Sequence, residues 1–272
     1  MIFVKFLLLS TPLQILPNSI IIAKTKYKEV TAMILYLTSS PFVDGADRAI
    51  LSPANGLLDR LKADLPENPS CLFICSSPDR RDLTAQFGAD VFSAFAEAGF
   101  PFSFYAILDG INADCAAELI AASDLIVLAG GHVPTQNAFF REIGLDVLLQ
   151  DFQGVVLSIS AGSMNSAVWV YAQPEEPGET LDPDYQRFLP GLGLTDINIC
   201  PHYQKVKSDI IDGQRLFEDV TYYDSHGHTF YALPDGSYFY ITEYGTLLLG
   251  EAYRIRNGVL EQLTQDGDTL PL

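Results

Sequence analysis

Short runs that are apolar throughout recur along the chain, and segments of helical period separate them. The runs are Met33–Thr38, Cys71–Ser76, Phe102–Leu108, Leu125–Ala129 and Val155–Ile159. The amphipathic stretches are Ala46–Leu65, Asp82–Ala98, Ala113–Ala122 and Pro134–Leu149. A strand that is apolar on both faces needs cover on both faces, and helical crossovers supply it, so the pattern predicts an α/β fold with a mostly parallel sheet flanked by helices on both sides. From about Tyr222 the spacing tightens to strand-turn units: Thr229–Leu233, Ser237–Thr242, Thr246–Leu249, Tyr253–Arg256 and Val259–Leu263. Pro234-Asp235-Gly236 and Asn257-Gly258 lie between such runs and read as hairpin turns, which predicts antiparallel strands at the C-terminal edge.

The first 32 residues stand apart. Lys5, Lys24, Lys26 and Lys28 against Glu29 give them a net +3, in a chain whose formal net charge is −18. Ile2–Ala23 is apolar enough to resemble a leader, but Lys5, Pro12, Gln14, Pro17 and Asn18 interrupt it and no clean small-x-small cleavage site follows. Translation is expected to begin at Met33, with residues 1–32 a misassigned start or an extension; a signal peptide or anchor is the second reading. Residues 33–272 are expected to form one domain, because no repeat, low-complexity linker or charge block divides them.

With 34 acidic against 16 basic residues, long-range repulsion disfavours a polyanion, so no nucleic-acid partner is expected. The four cysteines, Cys71, Cys75, Cys115 and Cys200, form no CxxC pair and no zinc-type cluster. They read as buried thiols of a reducing compartment, and the expected location is the cytoplasm, without membrane, metal or cofactor.

In a parallel sheet ligands bind beyond the carboxyl ends of the strands. Three such ends carry unusual residues. Ala129-Gly130-Gly131-His132-Val133-Pro134 joins a strand to a helix through two glycines, which let backbone N–H groups approach an anion; a plain tight connection is the other reading. Ser158-Ile159-Ser160-Ala161-Gly162 runs from strand to helix and has the form of a nucleophile elbow, with Ser158 where G-x-S-x-G has its first glycine. The turn would lift the Ser160 hydroxyl clear of the sheet and aim the Ala161 N–H at the same point; a helix N-cap is the blander role for Ser160. In Ile199-Cys200-Pro201-His202-Tyr203 a histidine follows an apolar run, at the rim where it could accept the hydroxyl proton.

Taken in order, Ala129-Gly130-Gly131, Ser160-Ala161-Gly162 and Cys200-Pro201-His202-Tyr203 resemble peptidase family S51, the dipeptidase E and cyanophycinase group on the class I glutamine amidotransferase-like fold, over roughly Met33–Leu263. The resemblance implies a metal-independent serine hydrolase, with Ser160 as nucleophile, His202 as base, and Gly131 and Ala161 as oxyanion donors. It also implies an acid in the loop after the elbow helix, just before a proline, and Glu175 occupies that place two residues before Pro177; Glu176, Asp182 and Asp184 stay open. Gly130, His132, Asn165 and Tyr203 are expected to line the substrate site.

Dipeptidase E-like enzymes favour Asp-X dipeptides, whose carboxylate needs a cation, and Lys205 and Lys207 are the nearest. The rival enzyme is a β-aspartyl-arginine exopeptidase with Glu175, Glu176 and Glu179 at its mouth. A non-catalytic binding module is the reading from another class. Glutamine amidotransfer itself is disfavoured, because no cysteine lies at the elbow. A small peptide is the expected partner, and a homodimer the expected assembly.

Overall fold

The computed structural model describes residues 32–272; except for Ala32, the segment singled out at the N-terminus lies outside them. Five parallel strands form one side of an eight-stranded sheet, out to its edge at β3: β1 (Ile34–Thr38), β2 (Ser70–Ile74), β3 (Phe104–Leu108), β4 (Leu125–Leu128) and β5 (Val155–Ile159), in spatial order β1-β5-β4-β2-β3. Strands β2, β4 and β5 bury almost every side chain, as the unbroken apolar runs require. Beyond β1 the sheet continues antiparallel through Tyr238–Thr242, Gly245–Leu249 and Thr269–Pro271.

The connecting helices are α1 (Leu57–Asp64), α2 (Arg81–Glu97), α3 (Ala116–Ala121), α4 (Val133–Glu142) and α5 (Leu145–Leu148), and α6 (Ala161–Asn165) follows β5. Chain order and spatial order together fix their sides. From β1 to β2 and from β2 to β3 the chain moves one way across the sheet, and from β3 to β4 and β4 to β5 it moves back. Right-handed crossovers therefore place α1 and α2 on one face and α3, α4 and α5 on the other.

Two helical patterns are shortened for local reasons. The run expected over Ala46–Leu65 forms a helix only from Leu57, because Pro53 and the left-handed Asn55-Gly56 pair precede it. The run expected over Pro134–Leu149 breaks at Gly144, whose φ of +63° ends α4.

A second sheet has four strands in the order Val259–Thr264, Ala252–Arg256, Thr229–Ala232, Asn198–Cys200. Its last pair is parallel, with Phe230 opposite Asn198, Tyr231 opposite Ile199 and Ala232 opposite Cys200. Alternation along these strands divides their side chains between two cores. Ile199, Tyr231, Leu233 and Ala252 pack with the main core, whereas Cys200, Phe230, Ala232 and Ile255 join a smaller one with Tyr171, Tyr203, Leu216 and Phe217.

The turn at Asn257-Gly258 closes a hairpin, as expected. Pro234-Asp235-Gly236 does not: Thr229–Ala232 belongs to the small sheet and Tyr238–Thr242 to the large one, so this segment crosses between sheets. All four cysteines are free, and Cys71, Cys75 and Cys200 are buried. Among the described residues no helix is long and apolar enough to cross a membrane.

Candidate active site

Spatial order brings the carboxyl ends of β1, β5, β4 and β2 side by side, so Ser39, Ser160, the Gly130-Gly131 turn and Ser76 lie along one rim. Ser160 sits between β5 and α6 with φ 50° and ψ −110°, a conformation few non-glycine residues adopt. Its N–H is shared between the carbonyls of Thr38 and Ser39, each at 3.1 Å. Such a turn needs small neighbours. A methyl group on Gly162 would stand 2.6 Å from the Leu128 carbonyl oxygen, so only glycine lets α6 lie this close to β4. Gly131, at φ 152°, backs onto Ser76, whose Oγ would meet an added methyl at 2.3 Å.

Ser158, where the elbow pattern has glycine, is fully buried and its hydroxyl lies 3.1 Å from Ser166 Oγ. Ser166 Oγ also donates to the Gly162 carbonyl at 2.8 Å. Ser163 Oγ donates to the carbonyls of Thr38 (2.8 Å) and Ser158 (2.9 Å). The serines around Ser160 thus satisfy one another and the backbone, which removes the cost of burying hydroxyls.

The second wall comes from the small sheet. Its parallel pair puts Cys200 beside Ala232, and each strand then runs through a proline to a polar residue: Cys200-Pro201-His202 and Ala232-Leu233-Pro234-Asp235. Two equivalent strand ends therefore deliver His202 and Asp235 to one place. His202 Nε2 lies 2.9 Å from Ser160 Oγ, and its Nδ1 lies 2.7 Å from Asp235 Oδ1.

Asp235 has a side chain only 4% exposed. Burial disfavours its charge, but His202, Lys205 and Ser39 outweigh burial and hold the carboxyl well below the ordinary carboxylate range. Lys205 Nζ bridges Asp235 Oδ2 (2.8 Å) and Asp44 Oδ1 (2.6 Å), and these two acids push its own pKa up. An ionised carboxylate can only accept, so the Nδ1 facing it carries the proton and Nε2 is left to accept from the Ser160 hydroxyl. This is the geometry that activates a hydroxyl as a nucleophile.

The structure brings Ser160 and His202 together and puts Glu175 elsewhere. Glu175 Oε1 accepts the Val133 N–H at 3.1 Å and so caps α4. Because α4 starts in the Gly-Gly turn, the loop carrying Glu175 is tied to β4 and not to the small sheet; Asp235 holds the place beside Nδ1 that Glu175 was expected to fill. Glu176, Asp182 and Asp184 are exposed, and none is bonded to His202. Sequence reasoning missed Asp235 because Pro-Asp-Gly between two apolar runs reads as a hairpin. The available signal was the shared form of the two segments, an apolar strand followed by proline and a polar residue.

His132 and Glu179 face each other, Nε2 to Oε1 at 2.8 Å, while His132 Nδ1 lies 2.7 Å from Thr135 Oγ1. Glu176 joins them in a cluster of suitable size for a metal ion. Glu179 Oε2, however, accepts the N–H groups of Glu175 and Glu176, so the cluster is already knit into its own loop.

Two residues expected to touch substrate are packed instead. Asn165 is fully buried, its amide shared among Asn137, Gln136 and the Val133 carbonyl, where it joins α6 to α4. Tyr203 is 8% exposed and sits edge-on to Phe217 in the smaller core. Lys205 is engaged as described, and Lys207 lies over the Tyr203 ring.

Comparison with known proteins agrees with this architecture. A peptidase from an acI-B1 Actinobacterium is similar in structure, with 18% identity and a TM-score of 0.58 over 90% of this chain and 99% of the other. A putative peptidase E protein from Listeria monocytogenes EGD-e is 16% identical, with a TM-score of 0.55 over 86% of this chain and all of the other. At these identities the likeness speaks for the fold. No curated protein sequence matches. The model of peptidase family S51 matches residues 37–249, most of the chain, and the protein belongs to that family.

Proposed function

We propose that this S51 peptidase is a serine exopeptidase acting on short peptides through Ser160, His202 and Asp235. The observation that carries the reading is the pair of contacts made by His202, 2.9 Å to a hydroxyl on a strained elbow and 2.7 Å to a buried, ionised carboxylate. Ser160 Oγ attacks the scissile carbonyl carbon while its proton passes to His202 Nε2, and Asp235 stabilises the resulting imidazolium. The N–H groups of Ala161 and Gly131 receive the oxyanion. Collapse of the intermediate breaks the C–N bond, with the proton returned from His202 to the departing amine. Water then attacks the acyl-enzyme through the same base and frees Ser160.

Asp-X dipeptides are the substrates to test first, although Lys205, the nearest cation, is bound to Asp44 and Asp235. Glu176, exposed beside His132 and next to the Gly-Gly turn, favours a second reading in which a cationic residue is bound, as in β-aspartyl-arginine. Purified protein and its Ser160→Ala variant, assayed on Asp-X dipeptides, β-Asp-Arg and neutral dipeptides, test both readings. Hydrolysis lost in the variant supports the serine mechanism, the preferred peptide decides the substrate, and equal turnover by both proteins would remove Ser160 from the reaction.

A further inference from the structure

We infer that Ser39 is a positioning residue of this site, a role that rests on the serine-hydrolase reading above. Ser39 directly follows β1, the neighbour of β5, and is fully buried. Its contacts reach all three members of the proposed triad. Its carbonyl accepts the Ser160 N–H at 3.1 Å. Its hydroxyl accepts the His202 N–H at 2.7 Å and donates to Asp235 Oδ1 at 2.9 Å. Its own N–H donates to the Ser237 carbonyl at 3.2 Å, two residues past Asp235.

The need for such a residue follows from the architecture. Ser160 is carried by the large sheet, His202 extends from the small one, and Asp235 lies on the segment that crosses from the small sheet to the large one. The segment of Asp235 is tied to the end of β1 by backbone bonds from Gly236 to Ser40 and from Ser39 to Ser237, whereas the His202 ring is held to that rim through side chains. His202 also holds φ 57° and ψ 27°, a left-handed conformation that a side chain rarely adopts without support. The Ser39 hydroxyl binds the His202 backbone and the carboxylate facing its ring, and both bonds originate from a strand hydrogen-bonded to the one that carries Ser160. This hydroxyl therefore ties the backbone of the base, which no bond of Ser237 or Gly236 reaches, to the rim that carries the nucleophile.

The expected signature is a loss in the chemical step with little change in ground-state binding. An alkyl fluorophosphonate reads this without knowledge of the substrate: Ser160 Oγ forms a P–O bond, fluoride departs and His202 takes the hydroxyl proton. Wild type, Ser160→Ala, Ser39→Ala and Ser39→Cys are compared for kinact and KI, with circular dichroism to count folded protein. Misplacement of a base by a fraction of an ångström to an ångström is expected to lower kinact of Ser39→Ala by about 10- to 100-fold, with KI within about two-fold. Ser39→Cys, close in shape but a weaker donor and acceptor, falls between.

Labelling that survives in Ser160→Ala would overturn the hydrolase reading and this inference with it. Labelling that depends on Ser160, with wild-type kinact in both folded Ser39 variants or a loss confined to KI, would overturn the inference alone. Should Ser39→Ala not fold, Ser39→Cys decides by the same criteria.

Discussion

Asp235→Asn is the perturbation that bears most directly on the proposed chemistry, and the structure gives its direction and cause. Asn is close to isosteric with Asp, but one acceptor oxygen becomes a donor. Lys205 Nζ, 2.8 Å from Oδ2, accepts no hydrogen bond, so it draws the single remaining oxygen to its own side. The amide NH₂ then faces His202 Nδ1, which must give up its proton to accept. The ring is left with its hydrogen on Nε2, the atom that has to receive the Ser160 proton, and general-base catalysis stops. In serine proteases with a Ser-His-Asp triad this tautomer error costs about 10⁴ in kcat, equal to roughly 5.5 kcal/mol of barrier.

The assay is fluorophosphonate labelling beside peptide hydrolysis. Lys205→Met added to Asp235→Asn frees the amide to turn its oxygen toward Nδ1, and recovery of about ten-fold or more is expected. Glu175→Gln serves as the contrast and should stay within a few-fold of wild type, because its carboxylate caps α4. An Asp235→Asn protein within about ten-fold of wild type would refute the reasoning, and so would a double variant as slow as the single one despite normal folding.

Two further outcomes follow from the same structure. Gly162→Ala forces a methyl to 2.6 Å from backbone oxygen at Leu128, so a loss of about 1–3 kcal/mol in urea unfolding is expected together with slower labelling; unchanged stability would mean that α6 can lift freely from β4. The Asp235 carboxyl titrates below its ordinary value, so its ionised form is favoured by folding. That contribution is complete above the unfolded-state value of about 3.9 and is lost as pH falls toward the lower folded-state value. The difference in unfolding midpoint between wild type and Asp235→Asn should be constant near neutrality and narrow below about pH 4; a gap that widens on acidification would contradict the sign.

The parallel centre of the fold was legible because strands buried on both faces leave an unbroken apolar record, as in Leu125–Leu128 and Val155–Ile159. Ser160 and His202 stood out because each follows such a run. Long-range register was not legible. Nothing local in Pro234-Asp235-Gly236 states that the strands on its two sides pair in different sheets, and turn chemistry favours the nearer partner. Glu175 and Asp235 are both acids beside a proline, and only pairing between Asn198–Cys200 and Thr229–Ala232 selects the second. Asn165 misled for a related reason: an amide one turn beyond a nucleophile suits a ligand as well as a helix neighbour, and burial alone separates the two roles.

Because the hydroxyl rides on one sheet and the imidazole on another, the seam between two separately packed cores runs through the reaction coordinate. Substitutions along that seam, far from any peptide, could tune turnover while both halves keep their internal order. The scaffold thereby offers a dial on rate that is independent of the chemistry of the site.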